Sequence, residues 1–123
     1  METNLYDKNG NAVAYIAEDA ERSIYTWEGQ AVCYIVDDKV YGWNGRHLGW
    51  FVDGIIYDAD GYRVGFVREK CPVLPSLPPL KSLKSLKNFK DFRDFSNFKP
   101  WFKFDISNML LVDFIMQGAN FQY

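Results

Sequence analysis

Four fifteen-residue blocks can be laid over one another without a gap: LYDKNGNAVAYIAED from Leu5, IYTWEGQAVCYIVDD from Ile24, VYGWNGRHLGWFVDG from Val40 and IYDADGYRVGFVREK from Ile56. Each opens on an aliphatic residue followed by a tyrosine (Tyr6, Tyr25, Tyr41, Tyr57), and each reaches a glycine four positions after that tyrosine (Gly10, Gly29, Gly45, Gly61). One such unit cannot bury its own apolar residues, so the copies must share a core.

The dipeptides ahead of the strand return are Asn9-Gly10, Glu28-Gly29, Asn44-Gly45 and Asp60-Gly61. Three of these are preferred type I′ pairs, and each block is therefore expected to form a two-residue β-hairpin. That loop length sets Tyr6 opposite Val13, Tyr25 opposite Val32, Tyr41 opposite Leu48 and Tyr57 opposite Val64. The leading aliphatics then face small residues, Ala14, Cys33, Gly49 and Gly65, as expected where hairpins crowd a common axis. Tyr15-Ile16, Tyr34-Ile35, Trp50-Phe51 and Phe66-Val67 put bulk on both faces, so the sheet needs covering twice. Asp53-Gly54 adds a tight-turn signal between the third and fourth copies, which predicts a meander of about eight strands.

The recurring Tyr-x-x-(Asn/Asp/Glu)-Gly hairpin, the run NGRHLGWFVDGIIYDADGYRVGF at 44–66 and the proline-containing tail that follows resemble the bacterial 4-fold β-flower proteins. The resemblance implies four hairpins in a pseudo-four-fold arrangement, in a family of unknown function; it brings a fold and no chemistry. Tails in that family look proline-rich, and most of those prolines are absent here.

From Leu74 an apolar residue stands at every third position: Leu74, Leu77, Leu80, Leu83, Leu86, Phe89, Phe92, Phe95, Phe98, Trp101 and Phe104. A mostly basic column (Lys81, Lys84, Lys87, Lys90, Arg93, Lys99) and a small or polar one (Ser82, Ser85, Asn88, Asp91, Asp94, Asn97) lie between them. Neither an α-helix nor a strand has a period of three, whereas polyproline II does. Pro72, Pro75, Pro78 and Pro79 start such an arm, and its length of about 95 Å forces it to bend round its own domain or reach a neighbour. The ridge is expected to lie against an apolar groove. In the last segment Asp105 or Ser107 is the expected N-cap of a short buried helix that stops at Gly118.

The expected architecture is therefore all-β: a four-hairpin repeat domain over 1–70, an extended polyproline-II-like arm over 71–104, and a short C-terminal helix within 105–123, forming one structural unit. Residues 1–70 hold seven Lys/Arg against twelve Asp/Glu, a net of −5, and residues 71–123 hold seven against four, a net of +3, so the two parts attract. Nothing resembles a secretory signal or a run of roughly 18 apolar residues, so a cytoplasmic location is expected. Cys33 and Cys71 lack CxxC spacing and read as reduced structural thiols. With His47 the single histidine, no zinc set forms, and neither metal nor cofactor is expected.

Candidate chemistry is sparse. His47 follows a turn with no serine or cysteine partner indicated; Asp58 and Asp60 resemble a fragment of a calcium loop but lack its distal ligands, and Asp37, Asp38 and Asp53 read as turn residues. The chain has neither GxxxxGK[ST] nor GxSxG. The leading expectation is a non-enzymatic structural or protein-interaction module that self-assembles as a homo-oligomer, with a protein partner as a further option and nucleic acid and membrane disfavoured. The alternative is a ligand- or polyanion-binding module. Candidate contact residues are Tyr6, Tyr25, Tyr41, Tyr57, Trp50, Phe89, Phe92, Phe95, Phe98 and Trp101.

Overall fold

The computed structural model describes residues 1–120. Eight antiparallel strands, β1 (Thr3–Tyr6), β2 (Ala12–Ile16), β3 (Ile24–Thr26), β4 (Ala31–Val36), β5 (Lys39–Gly42), β6 (His47–Val52), β7 (Ile55–Tyr57) and β8 (Arg63–Phe66), follow one another in a meander. Pairing of Tyr6 in β1 with Phe66 in β8 closes the sheet into a barrel. Closure leaves no free sheet edge, which strands this short and this apolar would otherwise expose.

The leading aliphatics pair as the repeat predicts: Leu5 with Ala14, Ile24 with Cys33, Val40 with Gly49 and Ile56 with Gly65. The tyrosines do not. A bulge after each aliphatic shifts Tyr6, Tyr25, Tyr41 and Tyr57 onto Ala12, Ala31, His47 and Arg63.

The cause lies in the turns, which are not type I′. Asn9, Glu28, Asn44 and Asp60 keep negative φ, and only the glycine after each is left-handed. Gly10, Gly29, Gly45 and Gly61 donate their N–H groups to the carbonyls of Asp7, Thr26, Gly42 and Asp58, the geometry of a tight turn followed by a glycine bulge. Side chains at the turn entrance favour that form. Asp7 Oδ1 accepts from the N–H groups of Asn9 and Asn11, Asp58 Oδ1 does so from Asp60 and Tyr62, and Thr26 Oγ1 accepts from Gln30. The type I′ geometry occurs between β6 and β7, where Asp53 and Gly54 both have positive φ.

A short helix, α1 (Leu111–Met116), supplies Leu111, Phe114 and Ile115 to the barrel's interior, where they pack with Leu5, Ile24, Val32, Val40, Ile56 and Val64. The small cross-strand residues make room for it. A Cβ on Gly65 would stand 2.8 Å from Leu111 Cδ1, one on Gly49 would stand 3.0 Å from Phe114 Cζ, and Cys33 Sγ donates to the Ile115 carbonyl. The crowding read from the repeat is thus crowding against a helix and, at Gly49, also against the neighbouring strand, where a Cβ would press on the Tyr57 carbonyl oxygen.

The helix starts later than expected. Leu110, in extended conformation and without a side-chain cap, precedes it; Ser107 Oγ instead accepts from Met109 N–H, bracing the approach. Asp105 is exposed and its carbonyl accepts from Arg63 N–H, so neither residue caps α1. Residues 121–123, the end of the predicted terminal segment, lie outside the described residues. No helix among the described residues is long and apolar enough to cross a membrane.

Candidate functional site: the arm and its outward ridge

Residues 74–103 form neither helix nor strand and bend round the barrel. Their attachment repeats every nine residues, three turns of a three-residue period. The N–H groups of Ser76, Ser85, Asp94 and Lys103 donate to the carbonyls of Gly10, Gly29, Gly45 and Gly61 at 2.8–2.9 Å. Between these anchors, the N–H groups of Ser82 and Asp91 reach the carbonyls of Trp27 and Trp43. In return Trp27 Nε1 donates to the Pro79 carbonyl at 3.1 Å and Trp43 Nε1 to the Asn88 carbonyl at 2.7 Å, again nine residues apart.

The hairpin glycines are needed twice over. Each has positive φ, and a Cβ at any of them would press on the carbonyl oxygen of Leu74, Leu83, Phe92 or Trp101 respectively.

The basic column faces the barrel wall. Lys81 and Lys84 lie over Tyr15, with Lys81 also over Trp27 and Lys84 over Tyr25; Lys90 covers Tyr34 and Trp43, and Arg93 covers Tyr41. Their alkyl stems shield the rings while the cations meet the ring faces. The ammonium groups then reach carboxylates: Lys81 and Lys84 meet Glu2, Lys87 meets Asp19 and Glu21, Lys90 meets Glu21, and Lys99 meets Asp38. Hydrogen bonds from Lys84 and Lys90 hold Glu2 and Glu21 below the ordinary carboxylate range, and Lys99 does the same for Asp38. Burial opposes the charge on Asp19, but Lys87 and the Ser23 N–H outweigh it and bring its pKa to about 2. The attraction predicted from the charge asymmetry is realised as this set of contacts.

With the polar column against the turns and the basic column against the wall, the third column points away from both. All eleven ridge residues, from Leu74 to Phe104, are between 86% and 100% exposed. The groove expected to receive them is absent because lysine stems and arm backbone already cover the outer aromatic face. That face rewards cations, which its rings and carboxylates can bind, over a second apolar layer.

Of the candidate contact residues, the ridge members Phe89, Phe92, Phe95, Phe98 and Trp101 stand together on the outside. The tyrosines Tyr6, Tyr25, Tyr41 and Tyr57 are buried on the outer wall rather than ringing a mouth. Tyr25 stacks on Tyr15 at 5.5 Å, Tyr41 on Tyr34 at 6.0 Å and Tyr57 on Phe102 at 4.1 Å. Trp50 is buried against His47 and Phe102.

His47 is itself buried; its Nδ1 accepts from Asn97 N–H, so Nε2 carries the proton and donates to the Gly49 carbonyl at 2.9 Å. Both nitrogens thus serve the arm junction. After α1 the chain returns to the arm, where Asn88 and Asn120 side chains bond to the carbonyls of Asn120 and Phe89. The nine-residue register had no visible mark in the sequence, since it uses backbone groups, and the return clamp pairs two asparagine side chains with backbone carbonyls 31 and 32 residues away.

A cleft of about 450 Å³ lies between the arm and β4 and is lined by Glu21, Tyr34, Lys90 and Arg93 among others. Among the described residues no cluster of three or more His, Cys, Asp or Glu side chains could hold a metal ion. Cys33 and Cys71 are both free thiols, the first buried and the second half-buried.

No curated protein and no solved structure matches the chain. Residues 3–115, which span the barrel, the arm and nearly all of α1, match one family, and the chain belongs to it: the 4-fold beta flower proteins.

Proposed function

We propose that this chain is a non-enzymatic structural or protein-interaction module that self-assembles, with the ridge from Leu74 to Phe104 as its working surface. The observation that carries this reading is the exposure of eleven large apolar side chains in one unbroken row. At on the order of 150 Å² each they present about 1,500 Å² of apolar surface, several times what a monomer ordinarily shows. A protein interface of standard size takes about 800 Å² from each partner.

The arm carries the ridge in polyproline II conformation. The three-residue exposure pattern and the nine-residue register of its contacts support this, as do its five prolines. Free thiols at Cys33 and Cys71 support a reducing, cytoplasmic compartment. The polyanion alternative loses support because five of the seven arm cations already meet carboxylates. A small ligand would take the cleft beside Glu21 and Arg93.

Native mass spectrometry of the full-length protein at micromolar concentration tests the reading. The expected result is a mass of more than one chain that returns to one chain when Leu83, Leu86, Phe89, Phe92 and Phe95 are all replaced by serine. A single-chain mass for the unsubstituted protein overturns it, and a monomer carrying extra mass moves the small-ligand reading to first place.

A further inference from the structure

We infer that each chain docks onto more than one further copy of itself, because the ridge faces several directions. This rests on the self-assembly reading above. The anchors at Gly10, Gly29, Gly45 and Gly61 belong to the four successive hairpins of a closed barrel, so the arm travels about three-quarters of the way round it. Nine residues separate consecutive anchors, which gives each hairpin a sector of three ridge residues: Leu74, Leu77 and Leu80; Leu83, Leu86 and Phe89; Phe92, Phe95 and Phe98; then Trp101 and Phe104.

The ridge points away from the wall in every sector, and a neighbour approaching from one side meets about one sector. Three such side chains offer on the order of 500 Å² of apolar surface, less than the roughly 800 Å² per partner of a standard interface. One contact therefore leaves most of the ridge in water and is weak by itself. Covering the ridge requires several contacts at once, and the assembly gains strength through multiplicity.

The occupant best suited to a sector is another ridge. Successive side chains along a polyproline II arm stand about 9 Å apart, leaving a gap about one side chain wide. A second ridge laid against the first fills those gaps, with interleaved groups about 4.5–5 Å apart, within the range at which aromatic and aliphatic groups pack. A lipid surface is served less well: residues 1–70 carry a net charge of −5, and the lysines that could meet anionic headgroups are turned toward the barrel.

Ridge variants of the full-length chain test the inference: one with Leu77, Leu80 and Leu83 replaced by serine, one with Phe92, Phe95 and Phe98 replaced by serine, and a six-position variant that combines them. Near-ultraviolet circular dichroism, dominated by the buried Tyr and Trp clusters, first verifies that all three fold. Sedimentation equilibrium of the unsubstituted protein from about 1 to 100 μM should then give masses that pass the dimer. Each three-position variant should assemble at least threefold less, and the six-position variant should stay a single chain.

A plateau at two chains, or one three-position variant assembling as fully as the unsubstituted protein, overturns the multivalent inference while leaving self-assembly intact. A monomer at every concentration overturns both. Flotation of the protein with neutral phosphatidylcholine vesicles, lost in the six-position variant, assigns the ridge to lipid and overturns docking between copies.

Discussion

The backbone N–H of Asn97 donates to Nδ1 of His47 at 2.8 Å, so an uncharged imidazole is part of what holds the arm to the barrel. Protonation would place a hydrogen on Nδ1 and break that bond. Burial depresses the folded-state pKa of His47 below the ordinary imidazole value; Lys39 adds to the effect, while the Gly49 carbonyl and Asp38 oppose it.

In the window just below pH 6.5 the unfolded chain therefore binds more protons than the folded one. The contribution is fully present above about pH 6.5 and is lost as the pH falls through the folded-state value. We expect the urea midpoint to drop between pH 7.5 and 5.5 by the equivalent of about 1 kcal/mol, the worth of one buried hydrogen bond. His47→Gln should be less stable at pH 7.5 and flat across that window. An unchanged midpoint for the unsubstituted chain would refute this.

Gly45 and Gly54 separate backbone strain from arm contact. Both have positive φ, 89° and 78°, so alanine is disfavoured at each by about 1 kcal/mol. Only at Gly45 would the new methyl also meet arm backbone, at Phe92; at Gly54 it meets the side chains of Val67 and Lys70. Gly45→Ala is expected to cost at least about 2 kcal/mol and to speed proteolysis near Phe92. Gly54→Ala should cost about half as much and leave arm cleavage unchanged. Equal cleavage in the two variants would show that the turn does not hold the arm.

The repeat made much of the fold legible because its signals are local and come in four copies. Leu5 with Ala14 and its three equivalents can be paired from spacing alone. The bulge after Leu5 was hidden because Asn-Gly suits both a two-residue turn and a glycine bulge; Asp7, two residues upstream, tips the balance with its side-chain bonds. The period of three announced the arm and its columns, but a period does not say which column faces inward. Hydrophobicity alone predicted Leu and Phe inside, and the result is reversed because the barrel's outer wall is aromatic and edged with carboxylates such as Glu2 and Glu21.

The pair Asp19 and Lys87, 2.8 Å apart, tests how much charge contributes to holding the arm. The pKa of Asp19 at about 2 means that the folded chain keeps this proton off more readily than the unfolded one. That contribution is present above about pH 4 and is lost as pH falls towards 2. Asp19→Asn should cost about 1 kcal/mol at neutral pH after allowance for solvent screening, with half or more of the cost gone at 1 M salt. The His47 loss begins just below about pH 6.5 and the Asp19 loss below about pH 4, so acid titration should show the first setting in before the second. A single step below pH 4 would mean that His47 plays no part.

Phe114 and Phe98 are the same residue type placed oppositely, and they distinguish what holds the monomer together from what joins it to others. Phe114 is 1% exposed, seated in the barrel where Gly49 leaves room for its ring, whereas Phe98 is fully exposed. Truncating Phe114 to alanine removes apolar contacts and opens a cavity that strands closed into a barrel cannot easily collapse, so about 3–5 kcal/mol of stability should be lost. Phe98→Ala removes a side chain already in water in the single chain, and monomer stability should stay within about 0.5 kcal/mol. In sedimentation the order reverses: Phe98→Ala should weaken association, whereas Phe114→Ala, at a temperature where it is still folded, should associate normally. A large stability loss from Phe98→Ala measured at concentrations where the protein is monomeric would place that ring against the barrel and refute the outward ridge.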